Sequence, residues 1–405
     1  MMFRYVVRML LAATLMVPSL ARSQEILETT VRDAMKAVGE GQLLRAIAML
    51  ESDPENLDKF ADILGTLYSF VGNWERANEL RPRAARNYEV TLPAHCQLMD
   101  ALETIAREAH GRQIVVINEA HDAPEHRAFI SLLAEMLRKD GFAYYAMETL
   151  VEDPTALSQR GYPVRSSGFY SCEPQYGELV RDALRSGFTP ISYEAEHLEE
   201  SDNPIENINK REELQCRNLV ERLFSQDPGA RILIHVGLDH VMEEPRKISG
   251  HEIHWLAARL KKATGLDPLT IDQITHLRRE SDGHTKPMIA CDPQGRCFVG
   301  GPYQGYVDLQ LYHPPAENLN ARPSWLVKDQ RRRVVKIPSE MKAGSTRVLV
   351  QVFYSNESDD AVPADQVLLI PGASRPVLSL RPGSYRIVSQ DESGDDTGSR
   401  DLTVE

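Results

Sequence analysis

The chain has 405 residues, with 46 Lys and Arg against 59 Asp and Glu, a formal charge of −13. That acidic balance excludes nucleic acid and anionic membrane as charge-held partners, because phosphate binding needs clustered Lys and Arg. The length exceeds what one core serves and implies two or three domains.

At the start, Arg4 and Arg8 precede an apolar run over residues 9–17 that Pro18 breaks, and Ala21-Arg22-Ser23 sets small residues before Gln24. This pattern predicts an export signal over residues 1–23, cleaved after Ser23. The run is short of the roughly 20 residues that span a bilayer, so an exported, periplasmic or secreted protein with no transmembrane segment is expected. Loss of residues 1–23 removes three Arg and no acid, which moves the charge from −13 to −16.

Residues 24–95 carry apolar positions at helical spacing and predict a small helical cap. Within them Leu64-Gly65-x-x-Tyr68-x-x-x-Gly72-x-x-x-x-Ala77 resembles the helix hairpin of a tetratricopeptide repeat, in too few copies for a solenoid. From Gln113 onward strands and helices alternate. Strands are expected at 114–117, 142–147, 190–193 and 231–236, and helices at 124–139, 174–186, 206–225 and 249–264. That alternation predicts βαβ units and a largely parallel sheet. Residues 306–312 read as an edge strand of the same domain, which spans 96–315. Residues 316–338 are Pro-rich and polar and read as a linker, with Lys328, Arg331, Arg332, Arg333 and Lys336 as a solvated basic run. Short strands between Gly, Pro and Asp clusters then predict a β-sandwich over 339–405. The expected fold class is α/β, with a central mixed, largely parallel sheet flanked by helices, the helical N-terminal region and the C-terminal β-sandwich.

Cys291 and Cys297 bracket the turn sequence Asp-Pro-Gln-Gly-Arg, so a disulfide across a hairpin is expected. Cys96, Cys172 and Cys216 are odd in number, and the sequence does not choose a pairing.

In a parallel α/β sheet, ligands bind outside the carboxyl ends of the strands. The first of these strands ends in Asn118-Glu119-Ala120-His121, the second in Glu148, the third in Glu194-Ala195-Glu196 and the fourth in Gly237-Leu238-Asp239-His240. Four strand ends thus deliver acids and imidazoles to one rim. A carboxylate beside an imidazole orients its tautomer and raises its basicity, and a second imidazole can protonate a leaving group or share a divalent metal with the carboxylates. Asp122 and Glu125 have capping-box spacing around Pro124 and read as helix caps. His126, in that helix's first turn, points at the pocket or at solvent. His235, inside the fourth strand, reads as a core histidine, and His251 and His254 read as exposed on a helix. No GxSxG elbow, P-loop, GxGxxG or HExxH is present.

Together, Ile114-Val-Val-Ile-Asn-Glu-Ala-His-Asp, Ala146-Met-Glu, Lys210-Arg211-Glu212 and His235-Val-Gly-Leu-Asp-His240 resemble the superfamily that joins Tiki proteases, ChaN-like haem-binding proteins and erythromycin esterases, over about residues 112–315. The resemblance implies that Glu119 and His121 form the first motif, Glu148 the second-strand acid and His240 the second-motif histidine. Arg211 matches the Arg–acid pair that opens the family's long helix. Asn118 departs from the Gly usual in the first motif. Members of this superfamily hydrolyse peptides or esters or bind haem, so membership implies a site more than a substrate.

The reading is an exported hydrolase for an ester or peptide substrate. Its catalytic residues are Glu119, His121, Glu148 and His240, and its substrate-binding residues are His126, Arg211 and Glu194. His121 is the general base oriented by Glu119. The alternatives are a haem- or metal-binding protein, with Tyr144, Tyr145, Phe169 and Tyr170 as an apolar face, or an inactive scaffold whose terminal domains bind protein partners.

Overall fold

The computed structural model describes residues 18–81, 91–195, 198–199, 201–248, 250–276 and 283–405. The apolar run of the expected export signal and Glu196 lie outside them. The chain forms two compact units, one of residues 1–82, 163–177 and 317–405, the other of residues 83–162 and 178–316. Among the described residues no helix is long and apolar enough to cross a membrane.

The first unit begins with helices α1 Pro18–Gly39, α2 Leu43–Glu51, α3 Leu57–Phe70 and α4 Trp74–Leu80. Leu44, Ile47 and Leu50 on α2 and Phe60, Ile63, Leu64 and Leu67 on α3 recur three or four residues apart and are buried together, so each helix turns one stripe inward. Gly72, between α3 and α4, has φ +72°, and a β-carbon there would strike the Gln366 carbonyl. Both the backbone and the neighbouring chain therefore require glycine at this motif position. The Gln366 side chain donates to the Phe70 carbonyl at 2.6 Å and closes the same corner.

The second unit runs β1 Gln97–Asp100, α5 Ala101–Ala109, β2 Ile114–Glu119, α6 Pro124–Lys139, β3 Tyr144–Met147, α7 Pro154–Arg160, then, past the start of α8 Pro174–Arg185, β4 Thr189–Ser192 and α9 Pro204–Leu219. It continues with β5 Ile232–Gly237, β6 Arg246–Ile248, β7 His251–Ile253, α10 Leu256–Thr264, β8 Leu269–His276, β9 Met288–Cys291 and β10 Leu309–Tyr312. Eight strands form one sheet in the order β1-β9-β10-β8-β2-β5-β3-β4. The pairs from β10 through to β4 are parallel, and β9 pairs antiparallel with both β1 and β10. Every residue of β2 and β5 is buried. That is why both read as unbroken apolar runs rather than as alternating ones.

The expected mixed, largely parallel sheet is present, with local differences. The strand expected at the edge, β10, lies inside the sheet between β8 and β9. β1 and β8 carry polar or broken patterns and were not read as strands, and β9 is the apolar run before the Cys291–Cys297 turn. The helix expected over 249–264 starts at Leu256, and His251 instead opens the short strand β7. α6 has Ala123, not Asp122, at its N-cap, with no side-chain cap bond and Pro124 in its first turn. Cys291 and Cys297 face each other across an antiparallel bridge at disulfide distance, and Cys96, Cys172 and Cys216 are free.

The chain then returns to the first unit through β11 Asn318–Leu319, β12 Arg322–Pro323, α11 Ser324–Val327 and β13 Arg333–Lys336. The span read as a linker is thus ordered into paired strands. Its basic run is only partly solvated, because Arg332 is buried and donates to the Ser379 carbonyl at 2.7 Å and to Gln175 at 3.1 Å. β14 Val348–Tyr354, β15 Asp365–Leu369, β16 Val377–Leu380, β17 Gly383–Asp391 and β18 Asp396–Val404 complete the unit. A four-stranded antiparallel sheet, β15-β14-β17-β18, and the ribbon β13-β16 enclose Val350, Val352, Leu378, Leu380, Tyr385 and Ile387. Leu349 and Leu368 join the helical core instead. The N-terminal helices and the C-terminal strands therefore share one body.

Candidate active site

The buried strands of the second unit end at polar residues that bond across to one another. At the end of β2, Glu119 is almost wholly buried and accepts from Arg127 on α6 through both carboxylate oxygens, each at 2.8 Å. His235, inside β5, lies 2.9 Å from the same carboxylate through Nε2. Burial works to raise the Glu119 carboxyl, but Arg127 and His235 outweigh it and hold the group well below the usual carboxylate range. A charge this deep is tolerated only when paired and hydrogen-bonded. Glu119 is therefore a fixed anion.

His121 stands two residues on, with Nδ1 3.2 Å from Glu119 Oε1. Its carbonyl accepts from Arg127 at 3.0 Å. With a fixed anion on Nδ1, the network assigns the proton to that nitrogen and the lone pair to Nε2, which lies over Gly237. His121 has 22% of its side-chain area exposed, the most of the ionisable side chains in this network.

Glu148, just past β3, forms the second half. Its Oε2 accepts from the Gly237 amide at 2.6 Å, and its Oε1 accepts from Arg211 on α9 at 2.6 Å. A β-carbon on Gly237 would stand 2.6 Å from His121 Cε1, 2.9 Å from His121 Nε2 and 3.2 Å from Glu148 Oε2. His121 and Glu148 therefore meet over this residue, and only a glycine leaves them room. His240, in the turn after β5, places Nε2 3.4 Å from Glu148 Oε1 and Nδ1 2.8 Å from Glu212 Oε1. Burial favours the neutral ring, but the Glu212 and Glu148 carboxylates outweigh it and push His240 up to about 9. Glu148 is held well below the usual carboxylate range. There too burial opposes, and His240, Arg211 and His121 prevail.

The four expected catalytic residues thus fall into one network, linked through Glu148 and Gly237. The expected substrate contacts sit differently. His126 is fully buried, and its Nδ1 accepts from the Ala120 amide at 3.0 Å. Its ring lies 5.0 Å from that of His313, so it faces neither cleft nor solvent. The α6 stripe that packs inward carries it there, since the first turn shares the buried face of Phe129 and Ile130. Glu194 and Arg211 form a two-bond ion pair at 3.0 and 2.5 Å, and Gln215 donates to Glu194 at 3.0 Å. They brace Glu148 rather than stand free for a substrate.

Arg127, Glu212 and Gln215 were not singled out as site residues. Their signal was slight: Arg127 falls eight residues after Glu119, and Glu212 and Gln215 share the start of α9 with Arg211. His235 is the core histidine expected, and it also binds Glu119 and the Tyr145 hydroxyl, the latter at 3.0 Å. Asn118 is buried. Its amide nitrogen donates to the Leu238 carbonyl at 3.0 Å and to Asp272 at 3.1 Å, and its oxygen accepts from the Gln273 amide at 2.9 Å. It pins β2, β8 and the His240 turn together.

A divalent metal would need free carboxylate oxygens, and those of Glu119, Glu148 and Glu194 already accept from Arg127 and Arg211. Among the described residues no three His, Cys, Asp or Glu side chains group as a metal-ligand set. The donor set does not fit such an ion. The four aromatic residues named for haem belong to different units. Phe169 and Tyr170 pack against the core of the first unit, whereas Tyr145 is buried on His235 in the second. A cavity of about 290 Å³ lies within the first unit, and none of the network residues lines it.

No protein-family model matches the sequence, and no curated protein matches it. Solved structures similar to it include one described as bacterial protein toxins, at 17% identity over 48% of this chain and 44% of that one, with a TM-score of 0.32. Another is RRSP, a MARTX toxin effector domain from Vibrio vulnificus CMCP6, at 14% identity over 66% and 48% with a TM-score of 0.32. A third is the type III effector HopBA1, at 14% identity over 56% of this chain and 99% of that one, with a TM-score of 0.34. The chain spans less than half the length of the first of these.

Proposed function

We propose that the protein is a hydrolase that cleaves an ester or peptide bond by general acid–base catalysis, with His121 as base and His240 as acid. The observation that carries this reading is the unequal setting of the two imidazoles along one network. His121 lies against Glu119, which Arg127 also holds, and meets Glu148 over Gly237, with 22% of its side chain exposed. His240 lies against two carboxylates, with its pKa pushed up to about 9. Environments that differ in this way assign the proton acceptor and the proton donor.

In the proposed step His121 Nε2 takes a proton from water as the water oxygen bonds to the carbonyl carbon. The tetrahedral adduct then collapses, the bond to the leaving oxygen or nitrogen breaks, and imidazolium His240 supplies its proton. Solvent returns the proton from His121 to His240. Glu119 orients His121. Arg211 and Glu194 hold Glu148, which spaces the two rings. The resemblance to the superfamily of Tiki proteases and erythromycin esterases supports the same residues.

The test is a panel of chromogenic esters and peptides assayed with wild type, His121→Ala and His240→Ala. Loss of either general acid–base group should cost about 10²–10⁴-fold in kcat, with melting temperatures close to wild type for the partly exposed His121. Activity that survives His121→Ala intact would remove the mechanism.

A further inference from the structure

Leu238 is one of three non-glycine residues among those described with positive φ, at +37°. A left-handed backbone crowds the β-carbon of an L-residue against its own carbonyl, and leucine has no polar side chain to offset it. The turn is held from outside, because buried Asn118 donates to the Leu238 carbonyl at 3.0 Å while being fixed itself by Asp272 and the Gln273 amide. The strained residue is not recompensed by burial either, since Leu238 is 48% exposed. It stands between Gly237, over which His121 and Glu148 meet, and His240. Single exposed apolar residues are ordinary. One held in a strained turn between two reacting groups is a different observation, and strain of this kind collects where a site needs a side chain in a set place.

We propose that Leu238 forms an apolar lip that receives the hydrocarbon next to the scissile carbonyl, so that the substrates are esters or amides of apolar acyl groups. This rests on the hydrolase reading. Burial of a methylene is worth about threefold to fourfold in affinity when complete, so a partly open lip should show about twofold or more per added methylene.

The test compares wild type, Leu238→Asn and Leu238→Met on p-nitrophenyl acetate, butyrate, hexanoate and octanoate. Asn tolerates the left-handed region and removes the apolar surface, whereas Met keeps that surface. Wild type and the Met variant should gain kcat/KM with chain length. The Asn variant should lose at least about tenfold on octanoate relative to acetate, and should melt roughly 2–4 °C higher as the strain is relieved. An unchanged chain-length trend in the Asn variant, or a lower melting temperature, overturns the proposal. If wild type cleaves none of the esters, or His121→Ala cleaves them as fast, the hydrolase reading fails instead. Calorimetric titration with the matching carboxylates then decides the lip. Binding that tightens with chain length in wild type and flattens in the Asn variant supports it, and binding that is flat in wild type overturns it.

Discussion

Both units bury arginine–carboxylate pairs, and they use them differently. In the first, Arg322 donates to Asp365 at 2.7 Å and to the Val377 carbonyl, while Asp365 also accepts from the Gln366 and Ser379 amides. Every one of these partners is a structural group of the strands around it. In the second, Arg127–Glu119 and Arg211–Glu148 end on imidazoles, and one of those rings reaches solvent. Buried charge therefore does not by itself mark a site. The second unit is distinguished by titratable rings placed where the carboxylates stop, at the carboxyl ends of parallel strands.

The sharpest way to break that comparison is to remove one arginine from each unit. Arg322→Ala and Arg127→Ala each strand a buried carboxylate, and each should cost about 3–5 kcal/mol of stability in denaturant unfolding. Under conditions where both variants stay folded, only Arg127→Ala should also lose hydrolytic activity. An equal loss in Arg322→Ala would mean that the first unit's pair serves the site as well.

How far the site was legible follows from the same contrast. Glu119, His121, Glu148 and His240 were readable because each lies at or just past the end of a strand that an apolar run announces, and a parallel sheet gathers such positions. Arg127, Glu212 and Gln215 were not, because their part depends on which face of α6 or α9 turns inward, and polar residues on a helix carry no mark of that. His126 was misplaced for this reason, since its turn packs into the core. β8 was missed because Asp272 and Gln273 interrupt its apolar pattern, and only the pairing with β2 and β10 explains their burial. The union of the N-terminal cap and the C-terminal strands in one body was likewise beyond sequence reach. Nothing local in Leu349 or Leu368 says that they face helices distant in the chain.

A smaller effect sharpens the contrast between staples that stabilise and groups that react. Cys291 and Cys297 close a loop with a sequence separation of 6, so reduction should cost about 2 kcal/mol by chain entropy. Unfolding in urea with and without reductant measures it, and activity below the transition should not change.

The smallest expected effect is the most specific. Glu212→Gln removes the largest of the charges that raise His240 from its ordinary value toward about 9. The ring should then lose its proton at lower pH. For an acid catalyst the alkaline limb of kcat/KM should move down by about one pH unit, a roughly tenfold loss near that limb and little change near pH 6. In the wild type, a raised His240 contributes stability that is full below about 6.5 and fades as pH climbs through about 9. The variant should keep only part of that pH dependence. An alkaline limb that stays in place would show that His240 is not the group titrating there.

Gly237 has an ordinary extended backbone, with φ −85° and ψ 154°, so nothing in its own conformation asks for glycine. The demand comes from the imidazole lying over it. A methyl group at 237 would meet no conformational penalty in the chain but would press on His121 and on the carboxylate beside it. The position thus works as a gap kept open for a neighbour: the smallest enlargement possible, alanine, acts on the alignment of the two halves of the site before it acts on the strand that carries it.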